Sequence, residues 1–272
     1  MLLPYGRPGA VRPQFGAEES SVEISHFSYG LVNPVMAYAV SFLGSLLGLI
    51  CTARARSPLA AGHRQRWLLV AAIAIGGTGI WLSHFMAMLG FTVVGGNVHY
   101  DVSLTVASAL TAVGVVWVGL LIVGTGATSP RRLLIGGLVA GLGVASMHHL
   151  GMAAMRIDGD LGYRPLLVLA SVAIAVVATT GGLWFTIVVL RPLTITLAAL
   201  LMGAAVCGMH YVGMAAVRVH PHDSVSKVGG VDPFSFLMPV VLTLGIVMIV
   251  VFYTVLTAPE ADHRETRTVV NA

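Results

Sequence analysis

Ala145-Ser146-Met147-His148-His149-Leu150-Gly151-Met152-Ala153-Ala154 closes an apolar run that begins at Leu133 and holds no charged residue. A helix needs about 20 mostly apolar residues to cross a bilayer. Ionisable side chains are costly there, so histidines at the end of such a run require a reason. Two other stretches end the same way: Trp81-Leu82-Ser83-His84-Phe85-Met86-Ala87-Met88 and Cys207-Gly208-Met209-His210-Tyr211-Val212-Gly213-Met214-Ala215-Ala216. The aligned histidines, His84, His148 and His210, stand 64 and 62 residues apart. That is one helical hairpin per repeat, and a fixed period of this kind marks one structural unit used several times. The likeness runs on past the motif. Arg156 and Arg218 each follow their histidine by eight residues, and Tyr100-x7-Ser108 is matched by Tyr163-x7-Ser171.

The rest of the chain agrees with a lipid environment. Hydrophobic residues make up 57% and charged residues 10% of the 272, where a soluble domain carries about a quarter charged. Seven segments are long and apolar enough to span: 31–52, 67–90, 102–124, 133–155, 165–190, 194–217 and 234–257. Pro34, Pro165, Pro192 and Pro233 stand at helix starts, where a missing N–H costs nothing. Gly44-x-x-x-Gly48 and Gly137-x-x-x-Gly141 allow close helix contact. The expected fold is all-α: a polytopic membrane bundle of seven transmembrane helices with three internal helical-hairpin repeats. Cys51 and Cys207 both lie in apolar segments, so no disulfide framework is indicated. Residues 1–30 carry no apolar run with a cleavage site, so the first helix is expected to do the targeting.

Basic residues flank the spans and form no patch for nucleic acid. With an outside N-terminus the inner side holds Arg54, Arg56, Arg64, Arg66, Arg131, Arg132, Arg191, Arg264 and Arg267. The outer side then holds Arg7, Arg12, Arg156, Arg164, Arg218 and Lys227. The positive-inside rule therefore favours an N-terminus outside and a cytoplasmic C-terminus in the plasma membrane. The expected organisation is a polar extracytoplasmic segment (1–27), the seven-helix membrane domain (28–257) and a short cytoplasmic tail (258–272).

Helices two, four and six run in the same direction, so their motifs share a depth. His148 lies 15 residues after Leu133, about 22 Å along the axis. In a core about 30 Å thick that is below the outer surface yet within reach of it. Residues i and i+4 share a helix face, which pairs His84 with Met88, His148 with Met152 and His210 with Met214. If those faces converge, three imidazoles and three thioethers meet in one pocket. Thioethers suit Cu(I), and imidazole suits copper, zinc, iron and nickel alike. With no carboxylate nearby, copper is favoured over zinc, calcium or magnesium. Two neutral imidazoles from different helices also suit a haem iron.

At these residues the chain resembles the MHYT domain of bacterial membrane sensors, over about residues 28–257. The resemblance implies an integral membrane sensor that binds copper near the outer face and perceives a diatomic gas such as O2, CO or NO. Carried over by motif, it implies metal ligands at His84, Met88, Met147, His148, Met152, Met209, His210 and Met214. Ser83 departs from the pattern, which has methionine before the first histidine. Members of the family often continue into cytoplasmic cyclic-di-GMP synthase or phosphodiesterase domains. With about fifteen residues after the last span, a stand-alone form without enzymatic output is expected here.

Plainer roles fit other residues. Met36, Met155, Met202 and Met248 read as packing, and Cys207 as a small buried residue that faces the way His210 does. Arg156 and Arg218 are expected to snorkel to the interface, and His220-Pro221-His222-Asp223 to form a solvated loop. The sequence supports a non-enzymatic sensory or metal-binding membrane protein that signals through a separate partner. A copper or proton transporter or channel is the first alternative, and a membrane haem-binding electron carrier the second. The inner halves of helices two, four and six are almost wholly apolar, which argues against a wire of polar sites.

Overall fold

A computed structural model describes residues 24–25, 28, 30–58, 62–93, 98–126, 129–157, 159–221 and 229–257. Six helices among them are long and apolar enough to cross a membrane: α1 (Val32–Ala55), α2 (Arg64–Met88), α3 (Val102–Gly124), α4 (Pro130–Ala154), α5 (Pro165–Val188) and α6 (Pro192–Ala215). The last predicted segment is also helical, as α7 (Pro233–Thr257), with Pro239 inside it. Most of the expected 1–27 segment and all of the 258–272 tail lie outside the described residues, as do His222 and Asp223.

Neighbours in sequence pack as neighbours in space, and α6 returns to α1, so the six helices close into a ring. Helix α7 packs outside it against α1 and α2. Helix α2 leans into the ring: 83% of its spanning window is buried, against 22–44% for the other five. Glycines make that approach feasible. A Cβ on Gly44 would collide with the backbone of Gly79 and Ala74, and one on Gly76 with the carbonyl of Ala112. Backbone-to-backbone contact of this kind tolerates no side chain.

Each pair of consecutive helices is tied at one end by its own antiparallel ladder. Strand β1 (Ile24–Ser25) pairs with β2 (Thr92–Val93), closing α1–α2. Strand β3 (His99–Tyr100) pairs with β4 (Met155–Arg156), closing α3–α4. Strand β5 (Gly159–Tyr163) pairs with β6 (Val217–Pro221), closing α5–α6. The correspondence extends to single bonds, since Asp101 N–H donates to Ala154 O and Arg164 N–H to Ala216 O, each at 2.8 Å. Most of these strand residues lie in stretches expected to be loops, Met155 and Val217 at the ends of expected spans pair as strands, and His220-Pro221 ends a strand instead of opening a solvated loop. The reason is local: chain ends of one hairpin emerge side by side, and pairing satisfies backbone groups that packing would otherwise strand.

Helix α2 differs from its repeats in one respect. Its middle, Ile73–Leu82, is π-helical between α-helical Arg64–Ala72 and Ser83–Met88. His84 stands 20 residues after the start of its helix, whereas His148 and His210 each stand 18 after theirs. The wider π turn, with i→i+5 bonds, takes up extra residues in the same axial length. All three histidines therefore reach one level.

Candidate metal centre

The three alternate helices α2, α4 and α6 each carry one motif histidine near their C-terminal end, on the side facing the ring's axis. All three side chains are buried, at 1–2% exposure. Their Nδ1 atoms converge. His84 Nδ1 is 2.8 Å from His210 Nδ1 and 3.4 Å from His148 Nδ1. One ligating nitrogen from each of the three falls within 4.8 Å of the others. The rings meet edge to face, with centroids 4.9, 4.9 and 5.4 Å apart.

Glycines seat two of the rings. A Cβ on Gly151 would collide with His84 Nε2, and a Cβ on Gly213 with Nε2 of His148. Each histidine thus lies against bare backbone of the next motif helix, three residues past that helix's own histidine. The equivalent position on α2 is Ala87.

The methionines form separate layers. Met88, Met152 and Met214 are buried together with Phe85, Phe91, Tyr100, Met155, Val217 and Val219. That cluster lies one helical turn beyond the histidines, towards the ladders. Met147 and Met209 belong to another buried cluster, with Ile80, Trp81, Leu82 and Val144. Ser83, in the position equivalent to these two, donates its hydroxyl to Gly79 O at 2.7 Å and to Ile80 O at 3.0 Å. Those carbonyls sit where the π segment reverts to α geometry and the regular ladder slips. A hydroxyl can make these bonds to helix carbonyls and a thioether cannot donate.

Among the described residues, these histidines are the one cluster of three or more His, Cys or acidic groups suited to a metal. Cys207 is a free, half-buried thiol outside it. His149 turns away, its ring edge-on to Tyr163 at 5.9 Å.

Residues 77–136 and 141–199 match the MHYT family, described as a bacterial signalling protein N terminal repeat. The chain belongs to the MHYT family. It is 35% identical over 241 residues to MucR of Pseudomonas aeruginosa, a bifunctional diguanylate cyclase/cyclic di-GMP phosphodiesterase. It is 31% identical over 193 residues to the cyclic di-GMP phosphodiesterase NbdA of the same organism, and 30% identical over 166 to signaling protein YkoW of Bacillus subtilis. These matches take in 84%, 67% and 58% of this MHYT chain but only 34%, 24% and 20% of the relatives' own length. No solved structure matches. The MHYT repeats thus form a multi-pass membrane domain of signalling type.

A second feature at this end was not read from the sequence. Asp101 caps α3 by accepting from Leu104 N–H at 3.1 Å, and its other oxygen accepts from Arg156 Nη2 at 2.9 Å. Arg156, half-exposed at this end of the bundle, thus reaches an ion-pair partner that ties β4 to the start of α3. An Asp directly before an apolar run is a recognisable cap signal; its partner is not. The Arg156 hydrogen bond, aided by Leu104 N–H, holds the Asp101 carboxyl below its ordinary range. A depressed folded-state value contributes stability above the ordinary carboxylate pKa and loses it as pH falls through the folded value. Acidification below about pH 4 should therefore loosen the β3–β4 clamp. Hydrogen exchange of the Met155 and Arg156 amides against pH checks this. Asp101→Asn keeps the cap and should remove the pH dependence in that window.

Proposed function

We propose that the three-histidine layer holds a copper ion and that the domain is a non-enzymatic membrane sensor whose metal meets a small diatomic ligand. The observation that carries the reading is the convergence of three buried Nδ1 atoms from three different helices. Neutral imidazoles whose Nδ1 atoms face one another at 2.8 and 3.4 Å leave at least one buried lone pair without a proton. Unsatisfied buried polar groups are costly, and a shared cation answers that cost. Two nitrogens each about 2 Å from one ion lie at most about 4 Å apart. Separations of 2.8, 3.4 and at most 4.8 Å need shifts of under an ångström. The donor set fits.

His84, His148 and His210 would hold the metal, with the thioethers of Met88, Met152 and Met214, or of Met147 and Met209, as soft neighbours on either side. Bound copper would supply an open, electron-rich position for O2, CO or NO. The chain's own contribution is the dry surround: Tyr100, Phe91 and the ladders exclude water above, and the main cluster excludes it below. A cavity of about 50 Å³ lined by Ile80, Val116, Val144, Ala175 and Met209 offers an uncharged diatomic a resting place beside the residue preceding His210. Because the three histidines sit on three separate hairpins, ligation would bias how α2, α4 and α6 pack. A partner would read that shift. The cavity's aliphatic walls and the arginines at the far end support sensing over cation transport.

The test is metal analysis of the full chain purified without chelators, followed by copper titration against a competing chelator. Wild type should bind one Cu(I) per chain. His210→Ala should weaken both oxidation states by roughly 100-fold or more, about 2.7 kcal/mol. Met214→Leu conserves volume and should weaken Cu(I) more than Cu(II). Wild-type Cu(I) affinity in both variants would return the histidines to a structural role. The histidine end is proposed to face outward. Reporter fusions at Ala60 should read cytoplasmic and at Gly96 external, and the reverse at both would invert the topology.

A further inference from the structure

The end opposite the histidines holds a second cavity, of about 90 Å³, between α1, α2, α3 and α5. Its walls include Leu68, Leu120 and Val123, and its polar lining includes two arginines, Arg56 and Arg64. Arg56 follows the last residue of α1 and Arg64 opens α2, so the cavity sits at the membrane boundary. The two Nη atoms of Arg56 donate to Ile187 O and Val189 O at the C-terminal end of α5. This fixes its guanidinium and leaves Nε–H pointing elsewhere. The Nε atoms of both Arg56 and Arg64 are buried and have no partner among the described residues.

No carboxylate balances them within the described part of the chain. Its three acids, Asp101, Asp160 and Asp232, all lie at the histidine end. Burial alone already lowers the Arg56 guanidinium below its ordinary pKa. Two guanidiniums sharing a partly dry cavity repel each other, and no counter-charge among the described residues offsets the hydration they lose. The first N–H groups of α2 add to the same field, since His63 makes no side-chain cap there and a helix start carries partial positive charge.

We propose that this cavity binds a phosphoryl anion held between Arg56 and Arg64. Guanidinium donors match the oxygens of phosphate in fork geometry. A tetrahedral anion can accept from two helices at once, which a planar group does less well. The volume is several times the roughly 15 Å³ that a single water needs by the same measure. Free phosphate and the phosphate of an anionic phospholipid share this chemistry. The site is independent of the copper reading and lies at the opposite end of the domain.

The test uses the full chain in bilayer nanodiscs of neutral phosphatidylcholine. Thermal unfolding is followed as inorganic phosphate is raised, against chloride at matched ionic strength. A second arm replaces part of the lipid with phosphatidylglycerol and omits phosphate. Ligand binding to the folded state raises the midpoint in a saturable way. Wild type and Arg66→Gln, an equal charge change at an exposed neighbour, should respond alike. Arg64→Gln should need roughly tenfold more phosphate for the same shift. A response confined to the phosphatidylglycerol arm, with the same dependence on Arg64, identifies a headgroup as the source. Should Arg64→Gln fail to fold, Arg64→Lys keeps the charge without the fork and should also need more phosphate. The proposal is overturned if neither arm raises the wild-type midpoint beyond chloride. It is equally overturned if Arg64→Gln and Arg66→Gln shift alike, or if Arg64→Lys responds as wild type does.

Discussion

Gly213→Ala is expected to abolish tight copper binding while leaving the helix intact. A Cβ at Gly213 would fall on Nε2 of His148, with the ring's Cδ2 and Cε1 each 3.2 Å away. An imidazole cannot bend, so the whole ring must move, and its Nδ1 leaves the centre it shares with His84. Metal bonds tolerate displacements of only about 0.2 Å, and the expected loss is on the order of 100-fold in affinity, about 2.7 kcal/mol. Helix propensity works the other way, since alanine is favoured over glycine by about 1 kcal/mol. A general loss of fold is therefore not the anticipated outcome. Gly151→Ala should act in the same way through His84. Gly208 supplies the control, because a Cβ there meets nothing within 4 Å on the same helix. Copper titrations of the three variants decide the matter. Wild-type affinity in Gly213→Ala would mean that the glycine seat does not position the ring.

The histidines should also trade stability for binding in a non-additive way. His84→Leu takes from His210 and His148 the nitrogen that each faces at 2.8 and 3.4 Å. Removing one partner of a buried polar contact costs about 1–3 kcal/mol. Replacing all three by leucine removes every polar atom of the layer at similar volume. Exchange of a buried polar group for packed apolar residues is often neutral or stabilising by about 1–4 kcal/mol. In chelator, the triple variant should thus unfold at or above the wild-type midpoint and each single variant below it. Neighbouring residues that share one network are where additivity fails. Added copper should then stabilise wild type alone, by about 2.7 kcal/mol at a hundredfold excess over Kd. A triple variant less stable than every single one would mean that the histidines exist to hold the bundle together, and the sensor reading would lose its main support.

The two experiments probe different levels of the same arrangement. The glycine variants ask whether backbone proximity sets the ring positions. The leucine series asks whether the rings are kept at a cost to the fold. The clamp of Asp101 on Arg156 is a third level, since it closes the ladder above the methionine cluster without touching the histidines.

Much of this architecture was legible in the chain. Periods of 64 and 62 residues, apolar runs of spanning length and prolines at helix starts are local properties, and a lipid solvent allows few folds for them. They fixed the helices, the hairpin repeat and the shared depth of His84, His148 and His210. Other features depended on contacts between segments distant in sequence. The π segment of α2 arises where Gly76 and Gly44 let three backbones crowd together, and nothing in a single run of Ile, Gly and Thr announces it. Ser83 departs from the methionine pattern in sequence, and in the structure its hydroxyl donates to Gly79 O and Ile80 O at the end of that segment. The division of methionines into two layers follows from which helix faces meet, as does the seat each glycine offers to a neighbouring ring. Arg56 and Arg64 read as membrane-orienting charges, and only the closure of α1, α2, α3 and α5 around them turned two flanking cations into one cavity. Sequence determined which residues share a level in the membrane, because depth is set by counting along a helix. Tertiary structure alone decided which of them face one another, because the rotation and approach of each helix are set by its neighbours.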